Sequence, residues 1–368
     1  MECSIEVIDI HSDRIRKTII LALCLVSAIM VFVSCDKVLT ESAAEAQDTA
    51  FSMGTAITST LYGKDENHLE ENLEKIRRCL DEVDSDISWR KEGSMVSVFN
   101  QQHEVSVGER AEVFRKALEV AADSGGAFDP TVLSVSGLWD IGGENQRHPS
   151  EAEIAEALKN VDYQAVSLSD GTLKTENIHI LFELGAIGKG YAVAEAAGAI
   201  DMDGMSGGII SAGSSILTFG TKPDGSAFRV ALRDPRGEQE DRIGILTLTD
   251  TAISTSGDYE KYFEEEGVRY HHILDARTGY PADSGLMSVT VIDEDSVLCD
   301  ALSTAGFILG LDEGMRLMDK YGVLSIFVDN QRNVYYNKES ILDLLSFEGE
   351  AEGYKLVPYG DGEADIPK

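Results

Sequence analysis

The chain has 368 residues, with 31 Lys and Arg against 65 Asp and Glu, which gives a formal net charge of -34 at pH 7. Such an acid excess argues against nucleic acid as a partner, because a phosphate backbone is bound by patches of Lys and Arg. Hydrophobic residues make up 43% of the chain, and its length is ample for the core of one large domain or of two interlocked lobes.

The N-terminus is typical of an export signal. Basic residues between positions 14 and 17 precede an uncharged run, residues 18–34, that is rich in Leu, Ile, Val and Ala. Ser34 directly before Cys35 resembles a loose bacterial lipobox, which implies cleavage there and a lipid anchor on the cysteine sulfur. Residues 1–34 are therefore predicted to be a lipoprotein signal peptide. The alternative is an uncleaved membrane anchor, for which the run is near the shorter limit of length.

The residues after the signal predict how the body is attached to the membrane. Asp36 resembles the signal that retains lipoproteins at the inner membrane of some bacteria. The predicted location is thus the inner (cytoplasmic) membrane, with a lipid anchor at Cys35 and the body facing the periplasm or the outside. Residues 35–50 are predicted to be a polar tether, residues 51–346 the folded domain, and residues 347–368 an acidic disordered tail.

The first part of the predicted domain contains a strand and two helices. Residues 51–62 alternate between apolar and polar in the manner of a strand. Apolar residues spaced by four and three between positions 69 and 83 predict one helix, and residues 109–124 predict another that stops at a pair of glycines. After that stop, Pro130 forces an extended Asp129.

A glycine-rich turn, GAIGKGYA at residues 185–192, follows a predicted strand at residues 178–184. Glycines let a backbone approach phosphates closely, and a helix after the turn contributes its positive end. Such turns are common, and this one is neither a Walker loop nor a good Rossmann fingerprint. Lys189 can neutralise a pyrophosphate, or it can simply be solvated at a helix start.

The remaining elements favour an α+β protein with a largely antiparallel sheet, because many strands are separated by irregular turns and the helices do not alternate with them. Residues 209–220 and 228–235 are predicted to be neighbouring strands. The other predicted elements are a strand at residues 243–248, a helix at 313–321 and strands at 324–328 and 333–336.

The densest group of chemically useful residues lies between positions 253 and 307. His272 offers a proton acceptor with an ordinary pKa near neutrality, and His271 is the competing base. Asp300 and Thr304 are hard oxygen ligands, which suit magnesium better than zinc, and they share a face if this segment begins a helix. The alternatives are a structural histidine and a helix cap, and only the combination favours a functional site.

Six sequence blocks occur in one order between about residues 51 and 337. They are SWRKEGSMVSVFN, AFDPTVLSVSGLW, LGAIGKGYA, ISTSGDYEKYF, HHILDARTGYP and DALSTAGFILG. In content and order these blocks resemble the ApbE family of FAD:protein FMN transferases. The resemblance implies an ApbE-like, T-fold-like α+β architecture with a largely antiparallel sheet, flanking helices and an active site in a cleft between two lobes.

The activity implied by this resemblance is Mg2+-dependent transfer of FMN from FAD to a threonine hydroxyl of an exported acceptor protein, with release of AMP. The implied acceptors carry a short Ser/Asp-Gly-Ala-Thr-type motif and belong to membrane electron-transfer complexes such as Rnf or Na+-translocating quinone reductases. Two alternatives remain open. One is an Mg2+-dependent FAD pyrophosphatase giving FMN and AMP, and the other is a non-catalytic flavin-binding lipoprotein.

The resemblance also implies roles for individual residues. His272 is the implied base, and Asp275 either orients its ring or makes a turn. Asp300, Thr304 and the carbonyl of Ala186 are the implied magnesium ligands; Ala186 stands where some members carry Ser or Thr, so that only its carbonyl can reach a metal. The implied FAD-binding residues are Met53, Trp89, Ala127, Phe128, Asp129, Glu183, Lys189 and Ile273.

Overall fold

The structure is a computed structural model that describes residues 43–360. The predicted signal peptide, residues 1–34, and the beginning of the predicted tether lie outside the described residues. Within the described range, residues 44–360 belong to one compact unit. In the described range, no helix combines the length and the apolar character that a membrane span requires.

A nine-stranded sheet forms the centre of this unit. In spatial order its strands are β1 (Ala44–Ser52), β2 (Thr55–Gly63), β6 (Met205–Ala212), β7 (Ser215–Gly220), β10 (Thr251–Gly257), β15 (Leu286–Asp293), β16 (Leu324–Asp329), β17 (Asn333–Tyr336) and β19 (Lys355–Pro358). Neighbouring strands pair antiparallel except β17 and β19, which pair in parallel. The predicted α+β class with a largely antiparallel sheet is confirmed.

Helices cover one face of this sheet. The helices of the described range are α1 (Glu66–Ile87), α2 (Met95–Gln102), α3 (Ala111–Asp123), α4 (Leu133–Trp139), α5 (Glu151–Leu158), α6 (Gly188–Gly198), α7 (Ser296–Tyr321) and α8 (Ile341–Leu344). The side chains of Ala252 and Val291 belong to the core that α1, α6 and α7 share with the sheet. Their chain neighbours Ile253 and Ile292 belong to a second core on the opposite face, as the period of two along a strand requires.

Three further strands cover that opposite face. They are β8 (Phe228–Arg233), β9 (Arg242–Leu248) and β18 (Leu345–Phe347), in the order β18-β9-β8. The prediction that residues 209–220 and 228–235 are neighbouring strands is therefore wrong. Residues 209–220 form the β6–β7 hairpin of the central sheet, whereas β8 pairs with β9 in a separate layer.

The remaining strands are short and lie at the periphery. They are β3 (Glu104–Ser106), β4 (Val166–Ser169) and β5 (Thr172–Thr175) in one sheet, the hairpin of β11 (Tyr262–Glu265) and β12 (Val268–His271), and the pair β13 (Leu274–Asp275) and β14 (Tyr280–Pro281). The β11–β12 hairpin separates two of the chemically dense sequence blocks. It therefore decides how those blocks meet in space.

Both predicted boundaries of the folded domain need correction. Half of the predicted tether, from Ala44, is strand β1, which pairs with β2 along its whole length. Ala44, Ala46 and Ala50 are partly buried and pack against the helical core. At the other end, the chain beyond position 346 is ordered through β19, where buried Tyr354 donates a hydrogen bond to Asp234. Residues 361–368 lie outside the described residues.

Candidate active site

Helices α6 and α7 approach so closely that the backbone of one contacts a side chain of the other. The Gly190 N–H donates to Asp300 Oδ2 at 2.9 Å, and Ser296 Oγ donates to the Gly190 carbonyl at 2.7 Å. A Cβ at position 190 would overlap the Ser296 carbonyl and lie 2.7 Å from Asp300 Cβ. Only glycine permits this approach, and it fixes the Asp300 carboxylate at the start of α6.

Helix α7 begins one turn earlier than the DALSTAGF block suggested. Its N-cap is Asp295, which accepts from the backbone N–H groups of Val297 and Leu298, so Asp300 lies in the second turn and is not a cap. Asp300 and Thr304 share a face, as their spacing predicted. The separate helix predicted at residues 313–321 is the continuation of α7 beyond a kink at Gly310, whose φ is 80°.

The Asp300 residue is only 3% exposed, and its carboxylate is surrounded by hydrogen-bond donors. Ser215 Oγ donates to Oδ1 at 3.0 Å, and Lys189 Nζ lies 3.3 Å from the same oxygen. On the next turn, Thr304 Oγ1 lies 3.0 Å from Ser256 Oγ. These contacts hold one buried carboxylate and a line of hydroxyl groups in fixed positions beside a lysine.

Ala186 lies one residue before Ile187, the N-cap of α6. The Gly190 N–H belongs to the first turn of this helix, where N–H groups have no intrahelical acceptor, and it donates to Asp300. Ala186 is partly exposed in the turn before α6. The Ala186 carbonyl, the Thr304 hydroxyl and the Asp300 carboxylate together form a set of hard oxygen donors that includes a single carboxylate. Within the part of the chain that the structure describes, no three His, Cys, Asp or Glu residues gather as a metal site.

These donors fit magnesium. Mg2+ prefers oxygen ligands and commonly takes only one or two from protein carboxylates, the rest being water and substrate phosphate. The predicted ligands Ala186, Asp300 and Thr304 supply that chemistry, whereas zinc or copper would call for nitrogen or sulfur donors.

His272 is exposed on the surface beside Lys261. Its backbone N–H donates to the Lys261 carbonyl at 3.0 Å, and its ring Nδ1 lies 3.3 Å from the same oxygen. Because a carbonyl can only accept, this contact places the ring proton on Nδ1 and leaves Nε2 as a proton acceptor. The surrounding protein, and then the positive charges of Lys189 and Lys261, lower the pKa of His272 to about 3, so that the ring is neutral near pH 7.

His271 has a different environment. It is 6% exposed, its Nε2 lies 3.1 Å from the carbonyl of Ala282, and its ring packs edge-on against Phe307 with centroids 5.4 Å apart. Burial lowers the pKa of His271. Of the two candidate bases, the structure thus places His271 in the core and His272 at the surface.

Asp275 makes a turn and does not contact the His272 ring. Its carboxylate accepts from the Arg277 side chain at 2.8 and 2.9 Å, and its carbonyl accepts from the Gly279 N–H at 2.8 Å. Both interactions close the turn between β13 and β14. Of the two roles that the sequence left open for Asp275, the structure therefore shows the turn and not the orientation of the His272 ring.

Two of the predicted flavin contacts lie at the other side of the α6 N-terminus. Met53 occupies the turn between β1 and β2 with a φ of 52°, and its side chain is so close to Gly188 that a Cβ there would lie 2.9 Å from Met53 Cε. Trp89 is partly exposed, with the Arg90 guanidinium 4.1 Å from its ring centroid. Both side chains are accessible at the surface and offer flat or flexible apolar contacts.

Glu183 lies in an irregular segment, so the predicted strand at residues 178–184 is wrong. The backbone of Phe182 is bonded on both sides by the Asn100 side chain, at 3.0 and 2.6 Å, and the Glu183 N–H donates to the Pro130 carbonyl. These hydrogen bonds satisfy backbone groups that would otherwise pair with a neighbouring strand. The Glu183 carboxyl accepts from Ser136 Oγ at 2.7 Å, and burial raises its pKa.

Four other predicted FAD-binding residues are buried: Ala127, Phe128, Asp129 and Ile273. Oδ1 of Asp129 accepts from the N–H and Oγ1 of Thr131, and Oδ2 accepts from the Tyr163 N–H. Burial raises the pKa of Asp129. Its side chain therefore stabilises its own loop, and a ligand would meet this segment through the backbone.

Several residues that complete the site were not singled out in the sequence. Ser215 holds Asp300, Ser256 holds Thr304, and Arg90 and Lys261 add positive charge near Lys189. Ser256 and Lys261 lie inside the block ISTSGDYEKYF and Arg90 inside SWRKEGSMVSVFN. Three of these four residues therefore lie within the sequence blocks. Serine and lysine are too common to be selected as site residues by their type alone.

Comparison with known proteins agrees with the fold and with the order of the blocks. The model of the ApbE family matches residues 53–327. A FAD:protein FMN transferase of Vibrio cholerae is 31% identical over 252 residues, which cover 67% of this chain and 75% of that protein. One from Treponema pallidum is 29% identical over 282 residues, which cover 71% of this chain and 78% of that protein.

Solved structures show the same similarity in three dimensions. The crystal structure of the ApbE protein from Thermotoga maritima has a TM-score of 0.71 at 32% identity, with 84% of this chain and 98% of that chain covered. The flavin transferase ApbE from Vibrio cholerae has a TM-score of 0.73 at 25% identity, with 82% and 99% covered. Because the family model spans most of the chain and the structures align nearly end to end, this protein belongs to the ApbE family.

Proposed function

We propose that this protein is a FAD:protein FMN transferase that moves FMN from FAD to a threonine hydroxyl of an acceptor protein and releases AMP. The observation that carries the proposal is the state of His272, a neutral, exposed ring whose Nδ1–H is directed to the Lys261 carbonyl. Nε2 is thereby available to accept a proton near the lysine that contacts Asp300. The names of the relatives from Vibrio cholerae and Treponema pallidum support the same activity.

In the proposed reaction, His272 Nε2 takes the proton of the acceptor hydroxyl as its oxygen attacks the FMN phosphorus. The new bond joins that phosphorus to the threonine oxygen. The bond that breaks joins the phosphorus to the oxygen bridging the two phosphates, and AMP leaves with the electron pair. Lys189 and the N-terminus of α6 stabilise negative charge on the pyrophosphate.

Magnesium fits this proposal as the resident metal. Asp300, Thr304 and the Ala186 carbonyl would hold it, with Ser215 and Ser256 positioning the first two. When bound, it supplies neutralisation of phosphate charge. The contribution of the chain itself is to orient the Asp300 carboxylate through the Gly190 N–H, the Ser215 hydroxyl and Lys189.

We further propose that the acceptors are exported subunits of membrane electron-transfer complexes with a Ser/Asp-Gly-Ala-Thr-type motif. A lipid anchor at Cys35, at the inner membrane and facing the periplasm or outside, would bring the enzyme to them. The support is the uncharged run followed by Ser34 and Cys35. Labelling the cells with a radioactive or clickable fatty acid, with Cys35→Ala as control, tests this anchor.

The test of the activity is the intact mass of an acceptor domain carrying the threonine motif, incubated with the full chain, FAD and Mg2+. A gain of one FMN minus water, absent with chelator, with His272→Ala and with a Thr→Val acceptor, is the expected result. FMN and AMP in solution without a mass gain would instead make the protein a FAD pyrophosphatase. Intact FAD would leave flavin binding as its only role.

A further inference from the structure

A lysine lies beside the proposed base. Lys261 lies in the turn between β10 and β11, and its side chain is exposed, with Cδ 3.4 Å from the place that a Cβ on Gly142 would occupy. Among the residues that the structure describes, its Nζ forms no ion pair or hydrogen bond with a side chain, and the nearby Glu260 is 3.7 Å from Arg233 instead. This is unusual in a chain with about two acidic residues for each basic one.

The backbone holds this lysine at the site. The Lys261 carbonyl accepts from the N–H of His272 at 3.0 Å and contacts its Nδ1 at 3.3 Å. On the preceding side, Asp258 forms a bidentate ion pair with Arg236, both contacts at 2.7 Å. The turn is therefore anchored at both ends, and the Lys261 side chain extends from the same backbone that fixes the base.

Two other positive charges act at the same place. Lys189 lies beside Asp300, and Arg90 is held over the Trp89 ring. Burial, followed by the charges of Lys189 and Arg90, lowers the pKa of Lys261. Of these three cations, Lys189 pairs with the Asp300 carboxylate at 3.3 Å. Like charges repel, so gathering them costs stability that an anion bound between them would offset.

We propose that Lys261 binds a phosphate oxygen of FAD and neutralises the charge that the AMP phosphate gains as it leaves. This inference rests on the proposed function, and it adds a catalytic residue to those that the family resemblance implied. A lysine suits the task because its ammonium is a compact point charge on a flexible stem, which can follow the phosphate as the bond to the FMN phosphorus breaks. The Lys189 side chain contacts the Asp300 carboxylate, and the Lys261 backbone carbonyl contacts the base.

The test compares ADP with adenosine, which differ only in the pyrophosphate, by titration calorimetry on the full chain with Mg2+ present. Lys261→Met keeps the length and the backbone carbonyl of the residue but removes its charge. We expect it to weaken ADP binding about tenfold or more and to leave adenosine binding unchanged. Lys261→Arg should retain part of the ADP affinity. Lys355→Met is the matched control, because Lys355 is an exposed lysine on β19 at the far edge of the sheet.

Each result of the binding measurements either supports or contradicts phosphate binding by Lys261. ADP affinity within twofold of the wild type in Lys261→Met would overturn it, as would a wild-type chain that does not distinguish ADP from adenosine. A Lys261→Met chain that binds ADP normally but has a raised KM for the acceptor would place Lys261 at the acceptor and also overturn it. Failure of the proposed function is a separate result, since it is seen as no mass gain of the acceptor, and ADP binding is measured without any acceptor.

Discussion

The Gly190 N–H donates to Asp300 Oδ2 at 2.9 Å, and this hydrogen bond joins the two sequence blocks that carry the proposed metal ligands. It satisfies an N–H group in the first turn of α6, and it fixes a carboxylate that is only 3% exposed. The bond is possible because position 190 lacks a Cβ. The glycine therefore serves the site through helix packing as well as through access to phosphate.

Gly190→Ala is expected to destabilise the protein by about 2 kcal/mol or more, because the new methyl group overlaps the Ser296 carbonyl and must push α6 from α7. Urea denaturation measures the loss. Gly198→Ala is the matched control in the same helix, since a Cβ there has no atom within 4 Å, and it should be neutral or stabilising by up to about 1 kcal/mol. Equal effects at the two positions would contradict the packing argument.

The two adjacent histidines should respond to substitution in opposite ways. His272→Ala removes an exposed base, so we expect the rate of FMN transfer to fall about a hundredfold or more with an unchanged melting temperature. His271→Ala removes a ring packed against Phe307, so we expect a loss of about 2 kcal/mol in the free energy of unfolding. Thermal melting and transfer rates on both variants check this. A stable His271→Ala chain with no activity would reverse the assignment of the base.

The pH–rate profile of FMN transfer should show no inflection near the ordinary histidine pKa. With the His272 pKa lowered to about 3, the ring stays neutral from pH 8 down to 5, and its protonation should limit kcat/KM only below that range. Between about pH 3 and 6.5, His272 is mostly protonated in the unfolded chain and mostly neutral in the folded one. The free energy of unfolding therefore falls as the pH drops through that window. NMR titration of the imidazole tests the assignment directly, and a midpoint near 6.5 would contradict it.

The ion pair between Arg236 and Asp258 should stabilise the turn that carries Lys261. The Arg236 side chain is 30% exposed and that of Asp258 12%, so Arg236→Gln leaves a mostly buried carboxylate with only the longer contact to Arg269, at 3.9 Å. We expect a loss of about 2 kcal/mol and slower transfer. Arg115→Gln breaks an exposed pair with Glu119, in which both side chains are 51% exposed, and should change stability by less than about 0.5 kcal/mol. Similar losses in the two variants would argue against a special role for the turn.

The sequence was sufficient for much of the local structure. The apolar stripe from Leu69 became the buried face of α1, and Ser150 with Glu153 forms a capping box at α5. The shared face of Asp300 and Thr304 also followed from their spacing. Each of these depends on contacts within a few residues, which the helical repeat alone arranges.

Other features depended on partners distant in the chain. Residues 178–184 read as a strand, but the Asn100 side chain satisfies the backbone of Phe182 instead of a neighbouring strand. The residues from Ala44 read as a tether, yet they form a strand that pairs with β2, and their alanines are partly buried against the helical core. A sequence pattern shows which side chains are apolar but does not show what will cover them.

By itself, the sequence determined the α+β class, the order of the blocks and the types of residue available for proton and phosphate chemistry, because these follow from local periodicity and composition. Only the tertiary structure decided which histidine lies in the core, that Asp300 meets Gly190, and that the Lys261 carbonyl contacts His272. Those relationships join positions that are 11 residues apart for Lys261 and His272 and 110 apart for Gly190 and Asp300, or they distinguish two neighbours of the same type. They arise when the α6–α7 packing and the β11–β12 hairpin bring separate segments together.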